Sequence, residues 1–291
     1  MKLTSKLFWL LIALCMHVIS FAQDLNYAKH IIADLCSEKM SGRGYVDDGV
    51  NKAAVYLEEE FKRLKLKKFG DSYSQSYSFS VNTIPGPILC KGDQQEWKAG
   101  IDFLIDAGSP SIAGQFRLLK FSGTDSLDLI LLRKKIKQGF AKDEALVLRH
   151  TTARASHILD TCKLYQHLPA CIIFTEDKKL THTIASQVNV VASMIIWDSL
   201  LAEKESIQLN FTHQLIPNFT CKNLAAYVKG KNTDSMIVFT AHYDHLGKQG
   251  PQAMFPGAND NASGVSMILY LANYFFETQT AVQYRFCFIQ R

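Results

Sequence analysis

Hydrophobic positions recur along this chain in three rhythms, and each rhythm predicts a different element. Val50, Ala53, Ala54, Leu57, Phe61 and Leu64 lie three or four apart, the stripe of an amphipathic helix that Asp47 or Asp48 can cap. A shorter helix reads over residues 27–35 and is broken by Ser41-Gly42-Arg43-Gly44; another starts near Ser263, with Val265, Ile268, Leu269, Ala272 and Phe276 on one face. Tyr73, Tyr77, Phe79 and Val81 keep to odd positions, with serines between the last three, which is the alternation of a strand with one buried face. Residues 236–240, MIVFT, are apolar without alternation, as in a strand buried on both faces.

Pro85-Gly86-Pro87 is the sharpest break in this pattern. Beyond it, short strand-like runs at 112–119, 145–148, 170–174 and 206–211 alternate with polar helices around Lys134 and His157. The earlier pattern resumes after Pro217. There 223–228 reads as a strand paired with 236–240 across the Gly230-Lys231-Asn232 turn, and 283–289 reads as a last strand that leaves Phe286, Phe288 and Ile289 exposed or its edge unpaired. The expected fold is α/β: a mostly parallel sheet flanked by helices, interrupted by a β-rich insert.

Composition narrows the setting. Hydrophobic residues make up 47% of the chain, the content of an ordinary globular core. Lys2 and Lys6 precede an apolar run at 7–19, and Ser20-Phe21-Ala22 suits signal-peptidase cleavage before Gln23, so residues 1–22 read as a signal peptide and the protein as exported, periplasmic or secreted. The run is short of the roughly 20 apolar residues that span a bilayer, which argues against a stable membrane anchor. The net charge of +5 falls to 30 basic against 27 acidic residues without Lys2 and Lys6, too small an excess to imply nucleic acid. The basic run at 62–68 reads as the polar face and last turn of a helix. Six cysteines remain beside Cys15, with no CxxC spacing, which leaves disulfides and buried thiols both open.

The candidate chemistry sits at 235–264. The 236–240 strand delivers Ala241, His242, Tyr243 and Asp244 to its carboxyl end, the edge at which open α/β sheets bind ligands. His242 and Asp244 are two apart and point to one side of a continuing strand, so a neutral imidazole can ligate zinc while the carboxylate orients it from behind. Asp260 lies on a tight turn, Gly257 to Gly264, just before a helix; its two oxygens can bridge cations about 3.5–4 Å apart. His150, His157, His167, His182 and His213 lack ligand-like spacing and read as solvated or packed.

Together, AHYDHLG at 241–247 and PGANDNASG at 256–264 resemble the two-zinc exopeptidases of metallopeptidase family twenty-eight, which include bacterial aminopeptidases, glutamate carboxypeptidase and the catalytically inactive transferrin receptor. The resemblance implies that His242 ligates one of two zincs, that Asp244 supports it, that the Asp260 carboxylate bridges both metals, that the Asp260–Asn261 peptide is cis, and that substrates are peptide amino termini. SGRG and the helix after it resemble the family's amino-terminal cap over residues 23–84. LPACIIFTED, with the stretch from Val190 to Gly230, resembles the protease-associated domain that the family carries as an insert, here 85–219. Residues 220–291 then correspond to a peptidase core whose carboxyl-terminal half is missing. The family's Glu-Glu pair, later acidic ligand and second histidine have no counterpart after Asp260, where Glu277 is the sole carboxylate. The general base is therefore expected to be absent and the chain inactive. Three classes stay open: a metallo-exopeptidase completed by other residues, a non-catalytic binding module, and an inert fragment.

Overall fold

The computed structural model describes residues 25–121, 126–149, 168–278 and 282–290, and in it the two strand-rich portions of the chain form two sheets joined by one long ribbon. Helices α1 (Leu25–Leu35) and α2 (Gly49–Arg63) come first. The predicted stripe is the inner face of α2, where Val50, Ala53, Ala54, Leu57 and Phe61 are fully buried. Asp48 stands at the cap position, but its carboxylate accepts the Asn51 side-chain amide at 2.7 Å and no backbone N–H.

After β1 (Lys67–Lys68) and β2 (Ser74–Thr83), the Pro85-Gly86-Pro87 break marks the passage into the second sheet. That sheet contains β3 (Leu89–Gly92), β4 (Gln95–Glu96), β5 (Phe103–Ile105), β6 (Ile112–Phe121), β7 (Glu144–Arg149), β8 (Cys171–Glu176), β9 (Ala192–Trp197) and β10 (Ser206–Phe211), with α3 (Ser126–Gln138) and α4 (Asp198–Leu201) beside it. Its order is β4-β3-β10-β6-β7-β8-β9-β5, parallel from β6 to β9 and antiparallel elsewhere. The chain returns through β11 (Gln214–Val228), which pairs with β2 along most of its length and carries a bulge between Ile216 and Phe219, at Pro217. It continues with β12 (Asn232–His242), the hairpin of β13 (Gly247–Gln249) and β14 (Ala253–Phe255), α5 (Ser263–Glu277) and β15 (Val282–Ile289). The proposed signal peptide and the helix around His157 lie outside the described residues.

Three expectations about the first sheet are corrected. Its order is β1-β11-β15-β12, with β2 also on β11, and only β12 and β15 run parallel, so it is mixed and not mostly parallel. The strand at 223–228 does not pair with 236–240, because β15 inserts between them. Gly230 makes room for that insertion: a Cβ there would sit 2.2 Å from the Val282 carbonyl. Phe286 and Phe288 are consequently fully buried, stacking on Phe239 at 5.8 Å and on Phe61 at 5.4 Å. The exposed edge belongs to β12 instead, at Met236, Ile237 and Val238.

A seam joins the two sheets. The Gln249 side chain donates to the Ile105 carbonyl at 2.7 Å and accepts the Ile105 N–H at 2.8 Å, and Gly250 N–H donates to Ile84 at 2.8 Å. His182 stacks on Phe255 with ring centroids 5.3 Å apart, and burial pushes its imidazole down to about 4. Of the histidines outside the motif, His213 accepts the Ser111 N–H at 2.8 Å, whereas His150, His157 and His167 lie outside the described residues. Cys36, Cys90, Cys171, Cys221 and Cys287 are free thiols, and among the described residues no helix is long and apolar enough to cross a membrane.

Two outcomes follow from this arrangement. Phe286→Ala, a truncation in a central strand, is expected to lower stability by about 3–5 kcal/mol in urea titrations, while Val238→Thr on the edge stays within about 0.5 kcal/mol; equal effects would contradict the strand order. His182 is neutral in the fold at pH values where an unfolded histidine is already charged, so stability falls as pH drops from about 6.5 towards about 4. His182→Phe keeps the ring stack and should flatten that slope.

Candidate metal-binding site

The site lies at the carboxyl end of β12. His242 is the last residue of that strand, opposite Ile289 of β15, and Tyr243 N–H continues the ladder to the Ile289 carbonyl at 3.1 Å. From there His242 Nε2 faces Asp260 Oδ1 at 3.0 Å. Its other nitrogen, Nδ1, is 3.2 Å from the Asp244 backbone carbonyl and 3.5 Å from the Asp244 carboxylate. In the tautomer with its proton on Nδ1, residue 244 accepts that proton and the Nε2 lone pair is left towards Asp260, as a metal ligand requires. Asp244 is buried, whereas the Asp260 side chain is 59% exposed and open to a ligand from solvent.

Asp260 arrives on the turn Ala258–Ala262 that leads directly into α5, and its peptide bond to Asn261 is cis. Gly264, the second residue of α5, is required by this turn, since a Cβ there would lie 2.4 Å from Asn261 Oδ1. His245 was not singled out by sequence reasoning, although its place three residues after His242 is a signal. Its Nδ1 lies 3.8 Å from Asp260 Oδ2, and burial, together with the Arg43 charge, pushes its imidazole towards the neutral form. An imidazole nitrogen and a carboxylate oxygen are the donor types zinc prefers. Among the described residues no three His, Cys, Asp or Glu side chains converge on one point to hold an ion.

Comparison with known proteins places this geometry. Residues 223–290, which include His242, Asp244 and Asp260, match the profile of Peptidase family M28. The likeness to that family is confined to these residues. Solved structures share the fold over nearly the whole chain. An aminopeptidase from Aneurinibacillus sp. strain AM-1 matches with TM-score 0.61 and 19% identity, covering 92% of this chain and 63% of its own. A zinc aminopeptidase from Bacillus subtilis matches with TM-score 0.64 and 17% identity, covering 93% of this chain and 62% of its own. A peptidase M28 precursor from Shewanella amazonensis SB2B matches with TM-score 0.56 and 12% identity, covering 93% and 68%. The chain thus spans less than two thirds of the first two proteins, and at these identities the likeness is one of fold. No curated protein matches it.

Arg43 is another residue of this site that sequence reasoning did not single out. Its Nη1 donates to Leu35 O, in the last turn of α1, at 2.8 Å. The same fully buried guanidinium also donates to Tyr243 O at 2.7 Å, Pro256 O at 2.7 Å and Gly257 O at 2.9 Å. Desolvation lowers its pKa, and the charges of Asp244 and Asp260 act in the opposite direction. Its neighbours are glycines because the loop meets another backbone: a Cβ on Gly42 would lie 2.3 Å from the Gly247 carbonyl oxygen, and one on Gly44 2.3 Å from the Gly247 Cα.

Arg43→Lys supplies three donors from one point in place of a planar fork, so it leaves buried carbonyls unpaired. At about 1–3 kcal/mol for each group left unsatisfied, the variant should lose about 3 kcal/mol or more in urea titrations. Faster amide exchange should appear first around residues 255–262; exchange confined to α1 would contradict a role in holding the Asp260 turn.

Proposed function

We propose that this chain carries part of a zinc-dependent exopeptidase site of aminopeptidase type, with His242 and Asp260 as metal ligands and Asp244 orienting His242. The observation that carries the reading is the facing pair: an imidazole whose Nδ1 is engaged by residue 244 presents Nε2 to an exposed carboxylate 3.0 Å away. The match of residues 223–290 to Peptidase family M28 and the fold shared with known aminopeptidases support it. The proposal includes export, on the strength of residues 1–22, a protease-associated-like insert between residues 85 and 219, and peptide amino termini as the substrate class.

The donor types fit zinc. Their number, two, is about half of what a tight site uses, so tight binding requires donors beyond this pair. Zinc, when bound, would supply Lewis-acid chemistry at a peptide carbonyl. The residues present hold the ligand atoms in place: Asp244 fixes the His242 tautomer, Arg43 fixes the strand exit and the turn, and the exposed face of Asp260 leaves room for a substrate. Asp244 is turned to the imidazole and Asp260 to the metal position, so neither is free to act as the general base. A non-catalytic binding role is the second reading, favoured by the absence of a three-donor cluster among the described residues.

Calorimetric titration of the 291-residue chain with zinc should show weak binding, micromolar or weaker, that His242→Ala or Asp260→Asn abolishes. Zinc binding unchanged in both variants would overturn the assignment. Aminoacyl-nitroanilide hydrolysis should be undetectable for this polypeptide alone, since loss of a general base alone costs typically ~10²–10⁴-fold. Metal-dependent turnover lost in Asp260→Asn would show that the base is present after all.

A further inference from the structure

A second imidazole faces the Asp260 carboxylate. His245 follows Asp244 directly, and its backbone N–H donates to the Arg43 carbonyl at 3.0 Å. Its ring packs against the turn at Gly257, where a Cβ would come within 2.4 Å of the ring Cδ2, and its side chain is only 13% exposed. Held on both sides, the ring presents Nδ1 to Asp260 Oδ2 at 3.8 Å, while Oδ1 of the same carboxylate faces His242 Nε2 at 3.0 Å. Each oxygen therefore has its own imidazole.

The spacing suits metal coordination better than a hydrogen bond. At 3.8 Å the His245 contact is too long for an N–H···O bond, whose donor–acceptor distance is about 2.7–3.2 Å. Zinc bonds of about 2.0–2.2 Å meeting at the tetrahedral angle place two donor atoms of one ion about 3.3–3.5 Å apart. Both contacts lie within about half an ångström of that separation. The two imidazoles address different oxygens, so no single point is within reach of three donors, in keeping with the lack of a three-donor cluster among the described residues. A carboxylate that spans two cations is arranged in this way.

We propose that His245 is a metal ligand, binding through Nδ1 the cation held at Asp260 Oδ2, while His242 binds through Nε2 the cation held at Oδ1. The inference rests on the reading of His242 and Asp260 as zinc ligands and adds a third protein donor to it. A purely packing role needs only a flat ring over Gly257, which phenylalanine would supply, and gives no reason for a ring nitrogen to face a carboxylate.

Crystals of the full chain soaked in zinc chloride, measured at the zinc absorption edge, test this on the unaltered protein. The expected result is anomalous density within about 2.3 Å of His245 Nδ1 and a second peak beside His242 Nε2. Density beside His242 alone would overturn the role of His245 and leave the parent reading standing; density beside neither would overturn both. In calorimetry, His245→Phe, which keeps the ring over Gly257, should remove one of two zinc equivalents or weaken binding at least ~10-fold, with a melting temperature close to that of the unaltered chain. Wild-type zinc binding in a folded His245→Phe variant would sink the proposal. Should that variant fail to fold, the anomalous map decides alone.

Discussion

One buried cation holds the site together. The Arg43 guanidinium is completely shielded from water, and its five N–H groups lie in a fixed planar fork that is directed at backbone carbonyls from three separate pieces of chain: the end of α1, the exit of β12 and the turn before Asp260. Carbonyl ends that converge in a dry interior repel one another, and a charge placed among them satisfies all of them at once. The cost is desolvation, which lowers the arginine's pKa but leaves it charged, since no interior of this kind deprotonates a guanidinium. Asp244 and Asp260 offset part of that cost. The same charge therefore fixes where His242 emerges and where Asp260 returns, by holding the backbone beside each of them.

Close backbone packing is the condition for that arrangement. Arg43 has a positive φ of 52°, a conformation unusual for a side-chain-bearing residue, and it is flanked by glycines whose missing Cβ atoms would collide with Gly247. The loop and the β13–β14 hairpin thus meet backbone to backbone, which brings the guanidinium deep enough to reach Pro256 and Gly257. The sequence Gly-Arg-Gly is a steric requirement on both sides of one charge.

Local features were legible in the sequence because they depend on neighbours in the chain. The α2 stripe, the odd-numbered side of β2 and the break at Pro85-Gly86-Pro87 follow from spacing, the facing of His242 and Asp260 is what the resemblance implies, and the structure has each of them. Sheet order did not follow, because it is decided between distant segments. A short turn between 228 and 232 suggests a hairpin, but the aromatic face of β15 gains more by burying Phe286 and Phe288 between α2 and α5 than β12 would gain by lying beside β11. Gly230 was the available clue, since only a residue without a side chain lets Val282 so close. The partners of Arg43 were illegible for a related reason: three of its four backbone acceptors lie some two hundred residues away, and carbonyls carry no sequence signature.

The strand order also changes how the site is kept rigid. Among the described residues His242 ends a strand paired on one side, with Met236, Ile237 and Val238 exposed, and edge strands of that kind fray more readily than central ones. The sheet alone therefore holds this histidine loosely. What compensates is a continuous run of contacts from outside the sheet. The second sheet fixes Gln249 through both backbone groups of Ile105, Gln249 belongs to the hairpin that carries Gly247, Gly247 packs on Gly42 and Gly44, and between those glycines stands the arginine that grips Tyr243, Pro256 and Gly257. Each link is a direct hydrogen bond or a backbone contact, so a displacement of the second sheet has a physical route to the His242–Asp260 pair. The second sheet thereby buttresses His242 from outside the strand that carries it.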